Sequence, residues 1–255
     1  MKLIYRAPLV CTVLIGAISL LNSGCKSSDV GTRYTSKHIK ANTNQVTAHI
    51  PETGELGYVL LSLTDYANND TTLLNKNTAY YKEVVKHFSA LKMHKAVRML
   101  NGDLNVEQRT FHHFRNGLYA LKLNERNRLV LKTDYRIDLN RVDFKRYTAA
   151  MEDFVAKSKF REFYNQHKGL YTKLLQNQSQ QLNMNAAWAS MAKQYTQPFQ
   201  SYQVIISPLM KGSSSSLALS GRGFRECLIF AESADKALMY SATNAAVTSK
   251  TSYND

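Results

Sequence analysis

The chain has little cysteine: three in 255 residues, at Cys11, Cys25 and Cys227. Cys11 lies in an N-terminal leader and Cys25 at its end. A mature exported chain would therefore keep only Cys227 as a free thiol, which excludes an internal disulfide framework. Stability has to come from apolar burial, and the residues after position 24 suffice for one sizeable domain. Cys227, inside an apolar run, reads as a small buried hydrophobe. Complete catalytic motifs are also missing. The seven histidines, at 38, 49, 87, 94, 112, 113 and 167, form no His-Glu-x-x-His, and there is no Cys-x-x-Cys or Gly-x-Ser-x-Gly. Ser89-Ala90-Leu91-Lys92 and Ser233-Ala234-Asp235-Lys236 match Ser-x-x-Lys, but without its partner motifs. Acidic residues are scarce, 19 against 33 lysines and arginines, for a formal net charge of +14. No run of five like charges occurs, so a specific nucleic-acid stripe is not indicated. The excess of positive charge suits an anionic envelope polymer or an acidic partner protein; its alternative role is to keep the surface solvated.

Long apolar runs are absent except at the start. Lys2 and Arg6 precede Ala7–Leu21, an apolar stretch of fifteen residues that is short for a membrane span. Leu21-Asn22-Ser23-Gly24-Cys25 follows. Small residues before a cysteine resemble the lipobox of bacterial lipoproteins, in which cleavage precedes the cysteine and its thiol carries diacylglycerol. The leucine here stands four residues before the cysteine instead of three. Cys25 is thus the lipidation candidate, with a non-lipidated signal peptide or an uncleaved anchor as alternatives. Residues 1–24 are expected to be the signal peptide, 25–44 a flexible lipid-attached tether, and 45–255 a single domain.

Within that domain most segments have helical period. Glu55–Tyr66 is apolar on nearly every side and is expected to be a buried helix. Thr78 caps Ala79–Phe88, whose apolar face carries Val84 and Phe88. Met93–Leu100 is expected to stop at Asn101-Gly102, and Val106–Arg115 is a further short helix. Asp143 caps Phe144–Lys157. Lys159–His167 and Leu170–Leu182 are helical, and Asn185 caps Ala186–Tyr195, which holds Trp188, the single tryptophan. Gln45–Ile50 reads as a short strand, and Gly117–Leu123 with Asn127–Thr133 as a hairpin. Two apolar runs, Tyr202–Ser207 and Glu226–Phe230, flank a loop of small residues and are expected to form the sheet edge on which the helices lean. The fold class is α+β: a predominantly helical single domain with a small antiparallel sheet or hairpin edge. In the loop, Gly221-Arg222-Gly223 together with Arg225 is a candidate anion-binding element, with a plain loop as the alternative.

Several phrases occur together and in order. They are Leu61-Ser62-Leu63-Thr64-Asp65-Tyr66, Tyr80-Tyr81-Lys82-Glu83-Val84 with His87-Phe88, Phe160-Arg161-Glu162-Phe163-Tyr164, and Tyr202–Leu209 ending in Ser207-Pro208-Leu209 with Gly212 following. They resemble an uncharacterised family, a domain of unknown function, of lipoproteins from Gram-negative bacteria with a zincin-like metallopeptidase outline, over about Ile50 to Phe230. The resemblance implies that a downstream Glu-x-x-His helix holds zinc, and that Ser207, Pro208, Leu209 and Gly212 form a substrate rim. This chain ends at Asp255 before any such helix. No catalytic or metal residue carries over, no cofactor is expected in the chain itself, and zinc would require that later helix. The expectation is a lipid-anchored protein of the cell envelope, attached through Cys25 to the outer membrane with its domain periplasmic or surface-facing. It would be metallopeptidase-like but without the metal site and inactive alone, either as a C-terminally truncated product or as a member that has lost the metal. The alternative is a basic binding or structural lipoprotein.

Overall fold

The structure, a computed structural model, describes residues 29–107, 109–132, 142–181, 199–211 and 215–233. Its frame is a five-stranded mixed sheet. In chain order its strands are β1 (Val30–Gly31), β2 (Gln45–His49), β5 (Ser201–Ser207), β6 (Ser215–Gly221) and β7 (Phe224–Glu232), arranged β1-β6-β7-β5-β2. β5 runs parallel to β2 on one side, with Val46 opposite Tyr202, and parallel to β7 on the other, with Tyr202 opposite Cys227. β6 is antiparallel to β7, and β1 is parallel to β6. A second sheet is the short antiparallel hairpin β3 (Leu121–Leu123) and β4 (Leu129–Leu131). The class is α+β, as expected.

The stretch read as a sheet edge is the middle of the sheet. All seven residues of β5 are buried, and that two-sided burial is why it reads as a continuous apolar run. The loop of small residues contains a strand of its own, β6. It is linked to β7 by a two-residue turn in which Arg222 (φ 52°) and Gly223 (φ 73°) are both left-handed, the arrangement of a type I′ hairpin. Cys227 is buried as expected, and burial pushes its thiol up to about 12.

Residues 29–44, expected to be tether, belong to the fold. The Asp29 carboxylate pairs with the Arg225 guanidinium at 2.7 and 3.1 Å. Thr32 N donates to Ser220 O at 2.8 Å. Thr35 caps helix α1 (Ser36–Asn42) by accepting from His38 N. A two-residue strand holds little by itself; the larger contribution is the Tyr34 ring, 1% exposed and edge-on to Phe224 at 4.9 Å. Burying such a ring contributes on the order of 4 kcal/mol by area, an upper estimate.

The helical body follows the apolar periodicity closely. α2 (Glu52–Ser62) is buried along nearly its whole length and packs against β5 and three further helices. These are α4 (Ala79–Phe88), α5 (Lys95–Val106) and α6 (Thr110–Tyr119), and between α2 and α4 lies the short α3 (Asp65–Asn69). Thr78 caps α4 and Asp143 caps α7 (Phe144–Ser158), each accepting from a backbone N–H three residues on. α8 (Phe160–Gln166) and α9 (Lys168–Gln181) complete the described helices. α5 runs through Asn101-Gly102 instead of stopping there. Asn101 uses its side chain to accept from Tyr66 N at 2.9 Å, and Leu104, 1% exposed, anchors the extra turn. α6 also extends into the segment expected as a strand from Gly117. A Cβ at Gly117 would lie 2.1 Å from the Phe144 ring, so this glycine serves the packing of α6 on α7. The helix expected over Ala186–Tyr195 falls outside the described residues.

At Gly221 an added Cβ would stand 1.8 Å from the Thr32 carbonyl oxygen, whereas at Gly31 nothing lies within 4 Å. Gly221→Ala is therefore expected to lower the urea midpoint by an amount corresponding to roughly 1–3 kcal/mol. Gly31→Ala should leave it nearly unchanged, and equal behaviour of the two variants would contradict the packing of β1 on the β6–β7 hairpin.

Candidate functional site

Two clusters of polar side chains gather around the parallel strands. The first lies beyond the carboxyl end of β5, where α/β sheets commonly place their ligands. Glu55, from the first turn of α2, is 1% exposed. Its Oε1 accepts from the Tyr80 hydroxyl at 2.9 Å, and the Tyr80 and Tyr171 hydroxyls stand 2.6 Å apart. Glu55 Oε2 makes no well-formed hydrogen bond, although the Ser207 hydroxyl is close enough to favour the charged form. Burial outweighs these partners and pushes the Glu55 carboxyl up to about 7. Burial also raises the Tyr80 and Tyr171 hydroxyls well above the usual tyrosine range. Tyr164 donates to Ile50 O at 2.7 Å, just past β2. His167 packs edge-on to Tyr80 at 5.0 Å, with Nδ1 2.8 Å from Phe163 O and Nε2 2.8 Å from Glu83. A carboxyl that changes protonation near neutral pH, beside two linked tyrosines, has the chemistry of a proton store. It is sealed, however: Tyr80, Tyr171 and Ser207 are all buried.

The second cluster centres on Gln203 in β5. Its Oε1 lies 2.6 Å from both Thr47 Oγ1 and His49 Nε2. Its amide nitrogen is within 3.0–3.1 Å of Asn42, Ser201 and Glu226. Glu226, 0% exposed, faces His38 Nε2 at 3.2 Å, and its Oε1 has no hydrogen-bond partner. Thr47 and Gln203 are register partners, as are Ser201 and Glu226, and α1 contributes Asn42 and His38 from above. Neither cluster was evident from sequence. The signals were there: Glu226 is an acid in an otherwise apolar run, and Gln45–Ile50 carries polar residues at alternate positions. What joins them is pairing between segments more than 150 residues apart.

The expected substrate rim is not available to a substrate. Ser207, Pro208, Leu209 and Met210 are buried. Their main chain is already in use: Leu209 O accepts from Asn75 N at 2.9 Å, Met210 bridges Leu74, and Met210 N donates to Ser207 O. β5 itself is paired on both sides, so it offers no free edge to an extended peptide. In the candidate anion loop the two arginines differ. Arg225 is held by Asp29 and lies over the Phe199 ring at 4.4 Å, while Arg222 occupies an exposed hairpin turn. Gly212 and Cys25 lie outside the described residues.

The histidines are dispersed. His87 Nε2 lies 3.0 Å from Ser158 O, and His94 Nε2 is 2.9 Å from Asp153. Among the described residues no group of three His, Cys, Asp or Glu is arranged to hold a metal. An open groove of about 700 Å³ lies elsewhere, lined by Asp65, Tyr66, Asn69, Asp70, Asn101 and their neighbours. Its two carboxylates make it a poor seat for an anionic polymer. Compared with known protein families, with curated proteins and with solved structures, the chain matches none.

The buried Glu55 carboxyl has a stability consequence of defined sign. Below pH 4.5, its ordinary value, both folded and unfolded chains hold the proton. Between there and about 7 only the folded chain holds it, so this group's contribution to stability falls as pH rises, then levels off. The loss amounts to roughly 3 kcal/mol. Glu55→Gln keeps an acceptor for Tyr80 and is expected to remove that fall. In urea titrations at several pH values the variant should match the parent near pH 4.5 and exceed it at pH 8; parallel profiles would contradict the assignment.

Proposed function

We propose that the protein is a lipid-anchored protein of the cell envelope, outer membrane by preference, that works by binding, with its zincin-like outline serving as a scaffold. The observation that carries this reading is where the chain joins the fold. Asp29, four residues after the lipidation candidate Cys25, is already ion-paired to Arg225 in the sheet. A domain joined so close to an anchor is held at the membrane instead of ranging from it. Binding is favoured over catalysis because both polar clusters are closed and the main chain of the supposed rim is taken. No helix among the described residues is long and apolar enough to cross a membrane. The partners that suit the excess of positive charge are an anionic envelope polymer or an acidic protein.

The test is Cys25→Ser with cell fractionation. The parent is expected in the membrane fraction through a high-salt wash, with its N-terminal peptide carrying acyl mass, and the variant to be released into the soluble fraction by that wash. A variant that stays membrane-bound with unchanged mobility would remove the lipid anchor from the account.

A second reading, a working metallopeptidase, is favoured by the order of the family-like phrases and by the mixed sheet. In it the strand able to align a peptide would be β6, whose outer side is paired by β1 only at Leu219 and Ser220 among the described residues. Metal analysis of the purified full chain separates the readings. The scaffold reading expects no stoichiometric zinc after dialysis, and one zinc per chain would favour the enzyme.

A further inference from the structure

Around α1 the described residues present exposed cations in segments of sequence that contain no acid. Arg33, Lys37 and Lys40 are exposed on and just before α1, and Arg222 is exposed in the β6–β7 turn. Lys37 and Lys40, three apart, share a side of the helix. The turn lies beside them: Gly221 abuts Thr32, Thr32 N donates to Ser220 O, and the Phe224 ring meets both Tyr34 and His38. None of the four cations forms a salt bridge with a described residue, whereas other surface cations such as Lys92, Arg146 and Arg161 do. From Val30 to Pro51, and again from Ser215 to Phe224, the sequence has no Asp or Glu. The nearest carboxylates are committed elsewhere, Asp29 to Arg225 and the buried Glu226 to His38 and Gln203.

We propose that this face, Arg33, Lys37, Lys40 and Arg222, docks on the anionic lipid headgroups of the membrane to which the chain is anchored. The proposal rests on the lipid-anchor reading for its geometry. Three residues separate Cys25 from Asp29, and the four steps between them, at no more than about 3.6 Å each, span at most about 14 Å. That is just under two Debye lengths at physiological salt, each roughly 8 Å. Arg33 and the lysines of α1 follow soon after that short link in sequence, and the turn bearing Arg222 packs beside them through Gly221 and Thr32. The anchor supplies attachment and the basic face fixes which side of the domain meets the bilayer.

The experiment uses the chain from position 25 onward with Cys25→Ser, which contains every described residue and has no lipid. Its co-sedimentation is measured with phosphatidylcholine vesicles with and without phosphatidylglycerol, at low and high salt. Binding is expected only with phosphatidylglycerol and only at low salt. The variant R33Q/K37Q/K40Q/R222N should bind on the order of 100-fold more weakly; asparagine tolerates the left-handed turn position, and the other sites are exposed. A control, K82Q/K86Q/K168Q/K173Q, removes the same charge from exposed positions on α4 and α9 and should bind within a few-fold of the parent. Equal loss in both variants would mean that net charge alone is read, and would overturn the proposal. So would absence of vesicle binding, or binding to a soluble acidic polysaccharide that vesicles fail to displace. Because the lipid is absent, failure here leaves the anchor standing, and failure of the Cys25→Ser fractionation leaves the vesicle result standing.

Discussion

The structure depends on one strand being paired on both sides and buried on both faces. β5 lies between β2 and β7, and every residue from Ser201 to Met210 is buried. Such a strand has no main-chain group to spare and no side chain in water. Its polar residues must therefore be satisfied inside. Gln203 gathers Thr47, His49, Asn42, Ser201 and Glu226, while Ser207 joins the Glu55–Tyr80–Tyr171 group and accepts from Leu209 N. Both clusters follow from that constraint. They also show why features that look like machinery in sequence are closed to a substrate in the fold.

The same constraint explains the N-terminal segment. Glu226 cannot sit in the sheet unpartnered, and α1 supplies His38 and Asn42 over the cluster. To deliver them the chain is fixed at Asp29 by Arg225, at Thr32 by Ser220, and at Tyr34 by burial. Each contact is modest, and together they turn a polar, weakly patterned stretch into structure. Asp29, four residues after Cys25, is already tied to the sheet, and the exposed Arg33, Lys37 and Lys40 follow soon after it in sequence. The closed polar clusters, the short link and the acid-free basic face support one account: a domain held flat on a membrane, acting through its surface.

What could be read in the sequence was local. The Thr78 and Asp143 caps, the buried helix over Glu55–Ser62 and the strand Gln45–His49 follow from side chains acting on neighbours a few residues away. What could not be read was set at long range. Tyr202–Ser207 and Glu226–Phe230 are recognisable as strands, but nothing in them says that they lie side by side and parallel, with β6 formed from the serines between. Asn101-Gly102 is a good local stop that loses to the burial of Leu104. Gly117 has turn character and is kept for contact with Phe144. Lys26–Asn44 lacks apolar period because its partners, Arg225, Ser220 and Glu226, are far along the chain. The phrase Tyr202–Leu209, expected to end in a substrate rim, falls on β5 and the turn after it, which are core in this fold.

The claim on which the account turns is that the chain is structured from Asp29 onward, four residues after the lipidation candidate Cys25. Native-state hydrogen exchange on the full chain tests this directly at the amides of Thr32, bonded to Ser220 O at 2.8 Å, and Asn44, bonded to Gln200 O at 2.7 Å. The account predicts that both are protected far beyond a free peptide, with Asn44 approaching the amides of β5. Exchange at free-peptide rates through Asn44 would mean that residues 25–44 are a flexible tether after all, and would contradict a domain held at the membrane.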